Sequence, residues 1–175
     1  MIKPNHVQKF LIQKLSEYKL KKKEFAVKIN IPYSTITNIF NTKHIIPELI
    51  TLLKIANYFD CSVDKILGRT KYSKTNLYNN IDMVLNDITG NLRNFINDKI
   101  QEQNLNPYIL SSDISLGKTV IYDFIKKNSK LKMLSTPAVI SLADYFQVSV
   151  DEMIGRTKPI TAVNYPKCLV PGSGG

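Results

Sequence analysis

The sequence predicts an all-α chain: two tandem five-helix domains joined by a helical connector. Three observations carry the prediction. Residues 56–71 and 143–158 share ten of sixteen aligned positions at an offset of 87 residues, which marks an internal duplication. Apolar residues recur at i, i+3 and i+4 along most of the chain, with no competing alternation of strand type. The length, 175 residues, leaves roughly 65 to each copy, a size that buries a modest core and suits short helices. The expected division is residues 1–71, a connector over 72–90, residues 91–158, and a tail over 159–175. The tail loses periodicity after Pro159. Its end, Leu169-Val-Pro-Gly-Ser-Gly-Gly, reads as a linker or protease-site remnant and is set aside from fold reasoning.

Each element follows from its apolar spacing and its punctuation. Val7, Phe10, Leu11 and Leu15 propose a first helix ending near residue 17. Phe25, Ala26 and Ile29 form the apolar face of a second, over 22–29. Asn30-Ile31-Pro32 interrupts it, because Asn tolerates a left-handed turn and Pro suits the first positions of a following helix. Residues 33–41 make a short third helix with Ile36, Ile39 and Phe40 inward. Pro47 opens a fourth, through residue 59, rich in Leu49, Leu52, Leu53, Ile55 and Ala56. Ser62 caps a fifth over 63–67, and Gly68 stops it. The second copy repeats the scheme. Leu92, Phe95, Ile96 and Ile100 match the first helix at an offset of 85. Helices are expected over 107–114, 118–126, 137–146 and 150–154, with Ser115-Leu116-Gly117 as the turn. The offset grows to 87 because the loop after the third helix is two residues longer. In the connector, Ile81, Val84, Leu85 and Ile88 stand at helical spacing and need a partner surface.

Charge points to a polyanion. The net charge is +10, and it is uneven: residues 1–80 hold 14 Lys+Arg against 5 Asp+Glu, whereas residues 81–175 hold 10 against 9. Nucleic acid is favoured over membrane, because no basic amphipathic helix carries bulky apolar anchors. The bland alternative is a solubilising surface. No apolar run reaches 18 residues, and the opening residues lack a signal-peptide core, so a cytoplasmic protein is expected. Two cysteines, Cys61 and Cys168, make neither a disulfide framework nor a metal site, and Cys61 aligns with Val148 as a core residue. Gly117-Lys118-Thr119 ends like a phosphate-binding loop, but the earlier glycine is replaced by Ser112 and no strand precedes it. No catalytic constellation, metal site or cofactor site is legible, and an enzyme is not expected.

Helix, tight turn and short polar helix is helix-turn-helix geometry. Leu20-Lys-Lys-Lys-Glu-Phe-Ala, then Ile31-Pro-Tyr-Ser-Thr-Ile-Thr-Asn-Ile-Phe-Asn-Thr-Lys, then Pro47, Leu52-Leu-Lys-Ile-Ala and Ser62-Val-Asp-Lys-Ile-Leu-Gly resemble the lambda-repressor-like (XRE/Cro) family. The resemblance runs over residues 7–70 with one extra residue near Ile45 and Ile46, and more weakly over 92–157. It implies two lambda-repressor-like domains and a recognition helix over 33–41 lying in the major groove of double-stranded DNA. The positions it assigns to base edges are Tyr33, Ser34 and Asn38, with Thr37 beside them, and in the second copy Lys118, Thr119 and Tyr122. Asn suits adenine, and Ser or Thr suits several bases. Lys21, Lys22 and Lys23 stand at the start of the second helix, where amides and ammonium groups attract phosphate together. Lys43 and His44, and in the second copy Lys126 and Lys127, are placed for neighbouring phosphates. The plainer reading is that these side chains solvate exposed helix faces.

The second copy departs from the pattern. Ser111 replaces Ala26, and Asp123 stands at the position of Asn38, where a carboxylate can accept from cytosine but repels phosphate. The expected function is a sequence-specific transcriptional regulator of bacterial or phage type. Its two copies would read both halves of an asymmetric site as a covalent pseudo-dimer, or a homodimer would bind a palindrome. The rival is an interaction protein, antitoxin-like or antirepressor-like, whose second copy or connector grips a protein partner.

Overall fold

The computed structural model describes residues 5–42, 46–72, 85–126 and 131–157. Ten α-helices lie among them: α1 His6–Glu17, α2 Lys22–Lys28, α3 Tyr33–Asn41, α4 Leu49–Tyr58, α5 Val63–Leu67, α6 Leu85–Glu102, α7 Pro107–Asp113, α8 Val120–Ile125, α9 Thr136–Tyr145 and α10 Val150–Met153. No strand is present among the described residues. None of their helices is long and apolar enough to cross a membrane.

The first five helices close around the residues that the spacing nominated. Val7, Leu11, Phe25, Ile36, Ile39, Leu52, Leu53 and Ile55 are all buried, whereas Phe10 and Phe40 are only half-buried at the edge of the core. Phe59, at the end of α4, is the aromatic hub: its ring lies 5.7 Å from Phe10, 5.4 Å from Phe25 and 5.4 Å from Tyr18. Phe146, 87 residues later, meets Phe95 at 5.9 Å, so the last five helices use the same hub with one fewer large ring at the position of Phe25, which Leu110 fills.

The turns recur as well. Lys19 and Asn104, Asn30 and Ser115, and Asp60 and Gln147 all take positive φ, between 47° and 59°, and fall in pairs at offsets of 85 or 87. Gly68 and Gly155 pair likewise at φ 76° and 75°. Each closes its helix in the left-handed conformation that favours glycine. A methyl group would have no room at Gly68, since an added Cβ would lie 2.3 Å from the His6 ring.

Several expected boundaries shift, each for a local reason. The fourth helix starts at Leu49 rather than at Pro47, because Pro47 is buried in the loop and Glu48 is the extended N-cap. The expected helix over 118–126 is shorter: Lys118 and Thr119 form a tight turn in which the Val120 N–H donates to the Gly117 carbonyl at 2.9 Å, and α8 begins at Val120. The connector is not a separate helix at its end. Residues 85–90 run straight into α6, with Ile88 fully buried, so part of the connector stripe finds its partner in the core. Ile81 and Val84 lie outside the described residues.

The two sets of helices meet. The N-terminus of α5 faces the N-terminus of α10, and the Thr136 hydroxyl donates to the Pro47 carbonyl at 2.8 Å.

Candidate nucleic-acid interface

The helix α3 is amphipathic by construction. Ile36 and Ile39 anchor it in the core, while Tyr33, Ser34 and Asn38 stand exposed on its outer face. It enters from a left-handed Asn30 (φ 50°) and the extended Pro32, with the Ile31 N–H returning to the Ala26 carbonyl at 3.0 Å. This turn fixes α3 across α2. Three of the four base-facing expectations therefore share one solvent-facing surface. Thr37 differs: it is half-buried, and its hydroxyl donates back to the Tyr33 and Ser34 carbonyls at 2.8 and 2.9 Å.

What holds the far end of α3 is a residue that sequence reasoning missed. Gln8 of α1 is buried, and its amide nitrogen donates to the Ile39 carbonyl at 2.7 Å and the Thr42 carbonyl at 3.0 Å. Its amide oxygen accepts from the Asn5 N–H at 3.0 Å, while the Asn5 side chain accepts from the Gln8 N–H, a capping box that starts α1. Gln8 thus joins the start of α1 to the carbonyl end of α3. Arg93, 85 residues later, does the same work for α8: Nε donates to the Phe124 carbonyl at 2.9 Å and Nη2 to the Leu131 carbonyl at 3.0 Å. The available signal was a polar residue on the inward face of an amphipathic helix at matching positions of both copies.

Beside α3 lies a shallow basic groove of about 770 Å³ where Lys19, Lys21, Lys22, Lys23, Tyr33 and Phe40 come together. No side chain caps α2, and Lys21 is its N-cap. The three lysines are not equivalent. Lys21 and Lys23 are exposed, whereas the half-buried Lys22 holds its ammonium 3.9 Å from the centre of the Phe40 ring, a cation–π contact that ties α2 to the end of α3. Lys43 and His44 lie outside the described residues.

The matching surface around α8 has different chemistry. Lys118 and Thr119 are exposed but stand in the turn ahead of the helix. Tyr122 stacks on Tyr108 with ring centres 5.0 Å apart, and Asp123 is exposed next to it. Burial pushes the Tyr108 hydroxyl above its ordinary range, and Tyr122 and Asp123 add to the shift. Lys126 is the C-cap, with its ammonium 5.8 Å from the Tyr122 ring, and Lys127 lies outside the described residues. Ser111 is more than a small replacement for Ala26. Its hydroxyl donates to the Pro107 carbonyl at 3.0 Å and accepts from the Ile121 N–H at 3.1 Å, satisfying an amide in the first turn of α8 from the neighbouring helix. Among the described residues no group of His, Cys, Asp and Glu is arranged to hold a metal ion.

Comparison with known proteins agrees with this geometry. A family model described as helix-turn-helix matches residues 11–66. An uncharacterized HTH-type transcriptional regulator of Rickettsia prowazekii (strain Madrid E) is 36% identical over 72 residues, 39% of this chain and 78% of that protein. A second uncharacterized HTH-type transcriptional regulator, from Rickettsia conorii (strain ATCC VR-613 / Malish 7), is 39% identical over 66 residues, 36% of this chain and 61% of that protein. No solved structure matches the chain.

Proposed function

The chain belongs to the helix-turn-helix family of transcriptional regulators, and from that premise we propose that it recognises a specific double-stranded DNA sequence with α3 in the major groove. The observation that carries the reading is one surface on which Tyr33, Ser34 and Asn38 project from an anchored helix next to a lysine-lined groove. In this reading Asn38 bonds a base edge in two places, Ser34 and Thr37 meet neighbouring bases, and Tyr33 flanks them. Lys21 and Lys23 take phosphate, and Lys22 holds the helix end while adding charge. Lys43 and His44, which follow α3 in sequence, take the next phosphates. The chain acts by occupying promoter DNA.

The recurrence of helices, left-handed turns and anchoring side chains at offsets of 85 and 87 supports a second, tandem helix-turn-helix domain over residues 91–158. One observation favours a different use for it: the stacked Tyr108 and Tyr122 and the exposed Ile109 stand where the first copy has Lys23, Thr37 and Glu24. That face suits a protein partner of the antitoxin or antirepressor kind.

Selection of bound fragments from random duplex DNA at about 0.15 M salt tests the proposal, since non-specific binding is weak there. An enriched motif is expected, and loss of its enrichment in Asn38→Ala identifies α3 as the reader. Binding without enrichment that fades as salt rises would overturn sequence-specific reading.

A further inference from the structure

The repeated segment and the reading helices differ sharply in how alike the two copies are. Residues 56–71 and 143–158 agree at ten of sixteen positions, whereas 33–41 and 118–126 agree only at Ile36 and Ile121, one of nine. The densest repetition therefore does not lie in the element that meets bases. It lies where α5 meets α10.

There the contacts are reciprocal, atom for atom. Asp151 Oδ2 accepts from the N–H groups of Val63 and Asp64 at 2.9 and 3.4 Å, and Asp64 Oδ2 accepts from those of Val150 and Asp151 at the same two distances. Each carboxylate thus sits on the N-terminal amides of the other helix, which have no acceptor within their own. Each carboxylate is also paired with an arginine of its own copy, Asp64 with Arg69 and Asp151 with Arg156. The two arginines then cross over. Arg69 donates to Asp144 at 2.7 Å and the Val148 carbonyl at 3.1 Å; Arg156 donates to Asn57 at 2.9 Å and the Cys61 carbonyl at 3.2 Å. Asp144 and Asn57, and Val148 and Cys61, are equivalent at the offset of 87. Asp64 and Asp151 are fully buried and Arg156 nearly so, which water-exposed ion pairs between tethered domains would not be.

Such an arrangement is a two-fold interface, in which the same patch faces itself and must carry the same residues on both sides. That constraint explains why ten of these sixteen positions match while the reading helices are free to differ. A further contact joins the two halves: Thr136, the first residue of α9, donates to the carbonyl of Pro47, just ahead of α4, at 2.8 Å.

We propose that the chain is its own dimer: the α5–α10 lock pairs its two halves about an internal two-fold axis, and a single chain presents two different helices, α3 and α8, to two unlike half-sites of one duplex. The proposal rests on the DNA-reading function proposed above. The first half-site is read by Tyr33, Ser34 and Asn38 with strong phosphate attraction from the lysine groove. The second is read by Lys118, Thr119 and the Tyr122–Asp123 edge, with Asp123 suited to a cytosine amino group and with Asn106, Pro107 and Tyr108 where the first copy has Lys21, Lys22 and Lys23.

Amide hydrogen exchange on the free full-length chain tests the lock without DNA. The N–H groups of Val63, Asp64, Val150 and Asp151 are first-turn amides and exchange quickly in separated domains; here they should be slowed by about 100-fold or more. Asp151→Ala should release the amides of Val63 and Asp64, and Asp64→Ala those of Val150 and Asp151. The wild-type measurement stands alone if either variant fails to fold. With DNA, one chain per duplex is expected by sedimentation, on an enriched site of two unlike halves about one helical turn apart. Inserting five base pairs between the halves should cost at least about tenfold in affinity, since it turns them to opposite faces. Unprotected amides overturn the lock whatever DNA shows. Protected amides with one half-site, or with two chains per duplex, overturn the paired reading but leave α3 as a reader, and point α8 to a protein partner. Protected amides with no enriched sequence overturn the DNA-reading proposal and with it the half-sites.

Discussion

Replacing Gln8 isolates what holds α3 in place. Its side-chain amide donates to the carbonyls of Ile39 and Thr42 at 2.7 and 3.0 Å, with the Phe40 carbonyl at 3.4 Å on the margin. In Gln8→Ala both good bonds are lost in a buried setting. At about 1 kcal/mol for each bond, and somewhat more where a buried carbonyl is left unpaired, the loss should total about 2–3 kcal/mol. That figure does not separate the donor from the volume of the side chain. Gln8→Glu does. It keeps the size, and it keeps an oxygen to accept from Asn5, but it turns a carboxylate toward three carbonyl oxygens. If the donor is what anchors α3, Gln8→Glu is destabilised by about 2 kcal/mol or more at neutral pH, no less than the alanine variant. Urea unfolding followed by far-ultraviolet circular dichroism reads both numbers, and DNA affinity measured under folding conditions shows whether α3 has lost its place. A glutamate variant within about 0.5 kcal/mol of wild type would refute the reasoning, because packing alone would then account for the site. Arg93→Ala should behave like Gln8→Ala, since Arg93 anchors Phe124 and Leu131 in the same way.

The other predictions concern recognition, a turn and a buried carboxylate. Asn38→Ala should remove about 1–3 kcal/mol of discrimination at one base pair, whereas Lys23→Ala should weaken all sequences alike and lower the salt slope by about 0.9; identical behaviour in a binding titration against salt would refute the division of roles. Gly68→Ala should destabilise by about 1–2 kcal/mol or more from its left-handed φ of 76°, with the clash against His6 added, and His6→Ala should recover part of the loss in the double variant. Burial, then the neighbouring Asp151 carboxylate, push Asp64 up to about 7, against the opposing pull of Arg69, with Arg156 on the far side of the pair. A raised carboxyl holds its proton in the folded state after the unfolded chain has lost it. Its contribution is therefore present at acid pH and is lost as pH rises from the ordinary carboxylate range through about 7. The difference in urea midpoint between wild type and the neutral mimic Asp64→Asn should shift against wild type over that window; a shift in its favour would show the sign to be wrong.

Much of the fold was written in spacing and punctuation. The bounds of the third and fifth helices, Tyr33–Asn41 and Val63–Leu67, fall where the sequence puts them, because Asn30 and Pro32, and Ser62 and Gly68, each dictate backbone geometry locally. The start of α8 was not legible. Its first-turn amide is satisfied by Ser111, ten residues away in sequence, and such a bond exists only once α7 and α8 are packed. The basic groove was half legible: the lysine run is plain in the sequence, but the seating of Lys22 on Phe40 depends on how α2 crosses α3.

The sequence by itself determined that the chain repeats, that its elements are helices, and that the third helix turns Tyr33, Ser34 and Asn38 away from Ile36 and Ile39. These are short-range consequences of periodicity and of what each residue permits its own backbone. Only the tertiary structure decided what Gln8, Arg93, Asp64 and Asp151 are for. Read along the chain, each is a polar residue in an apolar pattern. Folded, two of them tie the carbonyl ends of short helices, and two exchange places on amides 86 to 88 residues distant. A buried polar group is stable only where its partners converge on it, and convergence over that separation belongs to the packed molecule.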